Sequence, residues 1–247
     1  MHLSVLMYIQ EVIRQSGDLD AQGHLQSKLK DNHRMCRELA IFTQHVLGYG
    51  PDYKECHENE CPCNIRGERI GVPRLAEGDL HEEDEIDDQT QTSLREAMSV
   101  NHPMTLVKVG RTQEVQSEDL LRAAEAELVV NLVKLYRDKY SHQGNDQNVF
   151  VVTPHHVQRK AVQRGLQDCG LQANVVVDTV ERMQGEEVDL VIVCYAFMDL
   201  ESTATEMDFI YTRTRINVAL SRAKKKCVLI TSDEVTRLSC LRFLVHI

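Results

Sequence analysis

A chain of 247 residues with 42% hydrophobic and 27% charged content can build one large or two small domains around an apolar core, which excludes a disordered tail or a fibre. Its longest apolar stretch, Val188–Met198, is short and carries Asp189, so no segment reads as a membrane span. The net charge of −10 argues against a polyanion partner only as an average. Residues 51–100 alone carry 14 acidic and 5 basic side chains, whereas residues 149–247 carry 12 of each. Between Phe209 and Ser232 lie Arg213, Arg215, Arg222, Lys224, Lys225 and Lys226 and no carboxylate, which reads as a local positive patch.

The first residues place apolar side chains at helical spacing around Glu11, without a basic leader or small-residue cleavage site, and read as a helix rather than a signal peptide. Two helices are expected here, Val5–Gln15 and about Cys36–Leu47, the second ended by Gly48 and Gly50 before Pro51. Residues 1–51 form a helical lead-in to the main domain. Residues 52–102 show no sustained period and contain the acidic run Glu77–Asp88, so they are expected to be an irregular surface insertion, partly disordered, that could bind a protein partner. Eight cysteines without a secretory leader fit reduced thiols in a cytoplasmic or nuclear protein. Cys56, His57, Cys61 and Cys63 in the insertion could supply soft ligands to zinc, but C-x₄-C-x-C is not a usual finger spacing, and free thiols are the expectation. Cys169, Cys194, Cys227 and Cys240 are expected to pack in the core.

From residue 103 to 235 strands and helices alternate. A strand is expected at Thr105–Val109, a helix at Glu118–Tyr140, a strand ending at Thr153-Pro154, and a helix at Val157–Cys169. Then come a strand at Val175–Val177, a short helix near Val180–Gln184, an apolar strand at Val188–Tyr195, a helix at Arg215–Ala223 and a strand at Cys227–Thr231. Residues 236–247 are a tail. Near-continuous Val, Ile and Leu strands separated by helices mean a parallel α/β sheet covered on both faces. In such sheets ligands gather at the carboxyl ends of strands, which singles out the positions after Thr153, Val177 and Tyr195.

Four segments carry chemistry: Asp31–Met35 (DNHRM), Val151–Arg159 (VVTPHHVQR), Asp178–Val193 (DTVERMQGEEVDLVIV) and Arg215–Lys226 (RINVALSRAKKK). In this order they resemble the second, C-terminal RecA-like domain of superfamily 1 helicases, in the group containing the nonsense-mediated-decay helicase and senataxin. The resemblance covers about residues 25–50 and 104–232. It implies an ATP-dependent hydrolase that binds ATP and Mg²⁺ jointly with a first RecA-like domain and acts on single-stranded RNA or DNA.

By the same resemblance, Arg222 is an arginine finger and Arg34 a second γ-phosphate arginine. An arginine suits that task because its planar guanidinium is always charged and forked. His33 takes a position where a Tyr often stacks on adenine, Glu187 that of a ribose-binding carboxylate, and Gln184 would couple the nucleotide and nucleic-acid sites. Gly185 permits the turn between them. Thr153, Pro154, His155 and Gln158 would face the bound strand, and Thr179 and Val180 would offer hydroxyl and backbone N–H to its phosphates. Glu181 and Met183 stand where the family has Asp and Phe, and His155 where it has Tyr. Read without the resemblance, Arg222 could equally lie on a solvated helix face, and Asp31 or Asn32 could cap a helix.

None of the 12 glycines is followed by lysine, so the phosphate loop G-x-x-x-x-G-K-[ST] does not occur. Asp84–Asp87 (DEID) imitates a Mg²⁺-binding box in letters, but follows His81-Glu82-Glu83 rather than an apolar strand. The expectation is a chain inactive by itself that supplies half of an ATPase, as a fragment, split gene or degenerate paralogue would. The alternative is a helicase-like module that binds protein and has no catalysis.

Overall fold

The computed structural model describes residues 15, 31–32, 39–40, 54–55, 66–71, 88–99, 103–110, 118–140, 148–183, 185–195 and 213–232. Its centre is a six-stranded, all-parallel sheet. The strands are β3 (Arg66–Gly71), β4 (Met104–Gly110), β5 (Val149–Val152), β6 (Val175–Asp178), β7 (Val188–Tyr195) and β8 (Ala223–Ser232), in the order β3-β4-β8-β7-β5-β6. A separate short parallel pair joins β1 (Asp31–Asn32) to β2 (Lys54–Glu55). Among the described residues, helices α1 (Asp88–Ala97), α2 (Glu118–Tyr140), α3 (His156–Asp168) and α4 (Arg213–Leu220) lie between the strands, with a 3₁₀ turn at Val180–Met183. This is the α/β, RecA-like architecture expected, with strand order changing from one side of β7 to the other.

The two-residue period of the strands divides the core in two. Phe150, Val152, Val191, Val193, Cys227 and Leu229 face one side, where the 3₁₀ turn contributes Val180 and Met183 and α4 contributes Ile216, Ala219 and Leu220. Val149, Val151, Leu190, Ile192, Val228 and Ile230 face the other, beneath α1, α2 and α3. Burial on both faces explains why β5, β7 and β8 read as continuous aliphatic runs. Helix α2 and strand β7 occupy the residues expected. Helix α4 starts and ends earlier than expected, because β8 takes over at Ala223 and runs through the lysines to Ser232.

The segment 52–102 departs from the irregular insertion that its composition suggests. Arg66–Gly71 extends the sheet as an edge strand paired in parallel with Thr105–Gly110. Leu94, Ala97 and Met98 of α1 and its end are buried against α2 and the sheet. The spacing of those three residues is helical, but acids and polar residues dilute it below the level at which a period is evident. Among the cysteines expected in the core, Cys194 and Cys227 are buried, whereas Cys169 is exposed at the C-terminal cap of α3. Cys240, the cluster Cys56, His57, Cys61 and Cys63, and the DEID tetrapeptide lie outside the described residues. Among the described residues no helix is long and apolar enough to cross a membrane.

Candidate functional site

The sheet has two chemically distinct edges. At its carboxyl edge, β5 ends in Thr153-Pro154-His155 and β6 in Asp178-Thr179. The Thr153 N–H donates to the Asp178 carbonyl at 3.0 Å, which holds the two strand ends in register. Asp178 is the hub of this edge. Its Oδ1 accepts from Arg159 Nη1 at 2.8 Å and from the Thr179 N–H at 2.8 Å, and its Oδ2 lies 3.5 Å from Arg182 Nη1. Burial by itself would raise the Asp178 carboxyl, but the Thr179 N–H and the two guanidinium groups outweigh it and hold it below the usual carboxylate value.

That balance has a consequence for stability. A carboxyl depressed in the folded chain contributes stability that is present above its unfolded value of about 3.9 and is lost as pH falls through the folded value. Asp178→Asn should therefore lower the urea midpoint at neutral pH, and the gap to the unsubstituted chain should narrow below about pH 4. An equal gap at both pH values would remove Asp178 from the acid limb.

Thr153 is fully buried and its Oγ1 has no hydrogen-bond partner among the described residues. It stands just before α3, whose N-terminal cap residue His155 makes no side-chain cap bond and whose first turn holds no acid. The structure corrects one residue of this edge. Gln158 does not face outward: it is 4% exposed and its Nε2 donates to the Arg122 carbonyl at 3.3 Å, tying α3 to α2. Its position two residues into α3 turns it toward the neighbouring helix and away from the strand-end loop. Val180 is buried as the first residue of the 3₁₀ turn, while Thr179 is half-buried at the edge.

Arg222 sits at the opposite, amino edge. Helix α4 buries Ile216, Ala219 and Leu220 at i, i+3 and i+4 and so lies flat on the sheet, running back from the carboxyl edge. It closes with the Ser221 N–H on the Asn217 carbonyl at 2.9 Å and the Arg222 N–H on the Ala219 carbonyl at 3.3 Å. The Arg222 carbonyl then accepts the Val188 N–H at 3.0 Å, fixing its backbone to the start of β7. The guanidinium lies beside Gly185–Glu187, with Nη1 3.5 Å from the Glu186 carbonyl. Arg222 thus stands away from the strand ends singled out after Thr153, Val177 and Tyr195, because a helix returning across the sheet delivers the residues that follow it to the amino edge.

Gly185 has φ of +95°, and an added Cβ would meet nothing within 4 Å. Conformation rather than crowding demands glycine there, so Gly185→Ala should destabilise the chain by about 1–3 kcal/mol, read by thermal unfolding. Glu186 and Glu187 are exposed beside it.

Segment 179–187 joins the two edges. Five residues along β7 separate Val193, level with the end of β5, from Val188, a span of about 17 Å at the strand rise. The 3₁₀ turn lies on α4, and Arg215 Nη2 meets Glu181 Oε1 at 2.7 Å between them. Tyr195 is buried near that pair: desolvation raises its phenol, Arg215 opposes and Glu181 adds to the rise.

The run of cations after Phe209 is not a bare positive patch. Arg215 pairs with Glu181, Lys224 with Glu187 at 3.7 Å, and Lys225 with Asp189 at 3.2 Å. Lys226 is interior. Its Nζ donates to the Ser99 carbonyl at 3.1 Å and Thr105 Oγ1 at 3.1 Å, while Lys139 Nζ reaches the Met98 carbonyl at 3.3 Å. Thr105 Oγ1 in turn donates to the Ala97 carbonyl at 3.0 Å. Two ammonium groups and a hydroxyl thus close the C-terminal end of α1, where free carbonyls and the helix dipole favour positive charge. Sequence spacing carries no sign of these partners, because the carboxylates and carbonyls come from other elements. His33, Arg34 and Gln184 lie outside the described residues. No group of three or more His, Cys, Asp or Glu side chains that could hold a metal occurs among the described residues.

The family model AAA_12, described as "AAA domain", matches residues 15–234. The DNA replication ATP-dependent helicase/nuclease DNA2 of Bos taurus is 27% identical over 224 residues, covering 88% of this chain and 20% of that protein. The uncharacterized ATP-dependent helicase MJ0104 of Methanocaldococcus jannaschii is 26% identical over 161 residues, 64% of this chain and 21% of that protein. The chain therefore spans about a fifth of the length of these curated relatives. Among solved structures, the C-terminal domain of a possible DNA helicase from Lactobacillus is similar at 18% identity and a TM-score of 0.35, covering 59% of this chain and 85% of that one. With its family match running from residue 15 to residue 234, the chain belongs to the AAA_12 family of AAA domains and is a superfamily 1 helicase-like domain.

Proposed function

We propose that this chain is the second motor domain of an ATP-dependent helicase of the nonsense-mediated-decay helicase and senataxin group. In this reading the amino edge meets ATP held by a first RecA-like domain, and the carboxyl edge meets single-stranded nucleic acid, with the DNA2 relatives favouring DNA over RNA. The observation that carries it is the placement of Arg222 beside Gly185–Glu187, joined through a single nine-residue segment to Thr179 at the other edge. A motor needs its two sites at separate places and one element touching both.

The residues of the amino edge fit half of a nucleotide site. Arg222 offers a fixed positive fork for a γ-phosphate and Glu187 a carboxylate for a ribose hydroxyl; by the resemblance, His33, Arg34 and Gln184, outside the described residues, would add a base contact, a second γ-phosphate arginine and a link to the nucleic-acid site. The space beside Gly185 leaves the approach open. Mg²⁺ would be held by carboxylates of the first domain and, when bound, neutralises charge on the β- and γ-phosphates. At the carboxyl edge, the half-buried Thr179 hydroxyl and the α3 N-terminus after Pro154 and His155 present a hydroxyl and N–H groups suited to phosphate oxygens, while the buried Thr153 holds β5 to β6 behind them.

Phosphate release tests the reading. Mixed with a first domain that carries a phosphate loop, and with single-stranded DNA present, the chain should raise turnover well above that of either part alone. No increase at saturating chain would count against it.

A further inference from the structure

Within the joining segment, Arg182 meets the carboxyl edge through a long contact. It is 71% exposed, and its Nη1 lies 3.5 Å from Asp178 Oδ2. Asp178 is already served: its Oδ1 takes Arg159 and the Thr179 N–H, each at 2.8 Å, and Arg159 and Asp178 are both mostly covered. One carboxylate thus faces two guanidinium groups, an excess of one positive charge among these three side chains. The tight pair is Arg159 with Asp178, and Arg182 holds the long, solvent-facing position. A salt bridge of that kind adds little and is readily exchanged for another anion. The first turn of α3 beside it holds no acid to compete, and the buried Thr153 Oγ1 next to it has no partner among the described residues.

We infer that Arg182 is a nucleic-acid contact, held near the carboxyl edge by Asp178 and exchanging that loose contact for a backbone phosphate of a bound single strand. The inference rests on the proposed function, and it names a residue that Thr153 and Thr179 do not replace. Asp178 sets where the arm starts. When Arg182 leaves, Asp178 keeps Arg159 and the Thr179 N–H, so the edge itself stays intact. A guanidinium is suited to this exchange because its fork can meet two phosphate oxygens at once, which an ammonium cannot.

The experiment is fluorescence anisotropy of the full chain with labelled oligo-dT, and with oligo-U in parallel, titrated over a series of salt concentrations. Arg182→Gln should weaken binding at low salt by about 3- to 10-fold and lower the slope of log K against log salt by about 0.7, the share of one phosphate on a single strand. Arg182→Lys should keep the slope while binding more weakly than the unsubstituted chain. Lys225→Gln, at the opposite edge and paired with Asp189, should leave the slope unchanged. Unaltered melting temperatures would establish that each variant is folded. If the unsubstituted chain binds with a clear salt slope and Arg182→Gln has the same slope, the inference is wrong while the proposed function stands. If the unsubstituted chain binds neither oligonucleotide, the reading of the carboxyl edge fails and the inference falls with it.

Discussion

Arg222→Ala is expected to reduce phosphate release by about 10³-fold or more when the chain is combined with a first domain that supplies the phosphate loop. Charge spreads over the γ-phosphoryl oxygens in the transition state, and a rigid cationic donor there acts on the barrier rather than on ground-state binding. The substitution should spare the fold. What anchors this position is its main-chain carbonyl, which accepts the Val188 N–H, and alanine keeps that carbonyl. Near-normal thermal unfolding beside lost turnover is therefore the pattern anticipated. Arg222→Lys should restore little, since it returns charge without the planar fork. The isolated chain should show no turnover, because it contains no phosphate loop. Robust hydrolysis by the chain alone would refute that expectation, and full turnover by the Arg222→Ala combination would refute the role of Arg222.

Lys226→Ala should be the most damaging single change to stability among the basic residues before Ser232. Lys226 is 3% exposed, and its ammonium holds the Ser99 carbonyl and Thr105 Oγ1 at the end of α1. Its charge also acts on the neighbouring Cys227 thiol, which burial pushes up to about 12 against the opposing pull of Lys226. Removing the side chain strands buried acceptors and leaves a void, together about 3 kcal/mol or more. Lys226→Met should recover part of this by refilling the volume without the hydrogen bonds. The exposed Lys224→Ala should stay within about 0.5 kcal/mol of the unsubstituted chain. Urea midpoints at constant m-value make the comparison. A Lys226→Ala variant as stable as Lys224→Ala would mean that the ammonium does not secure α1.

Both expectations turn on the same short stretch, Arg215–Lys226, and on a distinction its letters do not display. Five cations in a row of polar and apolar residues read as one positive surface. In the fold they separate: Arg215 locks the 3₁₀ turn through Glu181, Arg222 stands at the amino edge, Lys224 and Lys225 are paired, and Lys226 points inward. An irregularity in register accounts for the last step: Val188 stands opposite Ala223 but Leu190 opposite Lys226, so β8 carries one extra residue there and Lys224 and Lys226 do not share a face.

Periodicity and side-chain type by themselves determined the α/β class, helix α2 and strand β7 to the residue, and the buried faces of β5, β7 and β8. These are local properties, since a run such as VDLVIVCY is stable only where both faces are covered. The order of the motifs also determined the helicase resemblance, which needs no coordinates. Tertiary structure alone decided that β3 and α1 belong to the sheet and its cover, because the acidic segment around them masks a short apolar spacing that becomes evident only against α2. It alone turned Gln158 inward, and it alone placed Arg222 and Thr153 at opposite edges. Those outcomes depend on strand order and on the direction in which α4 recrosses the sheet. Both are settled by contacts between residues far apart in the chain, which no local pattern encodes.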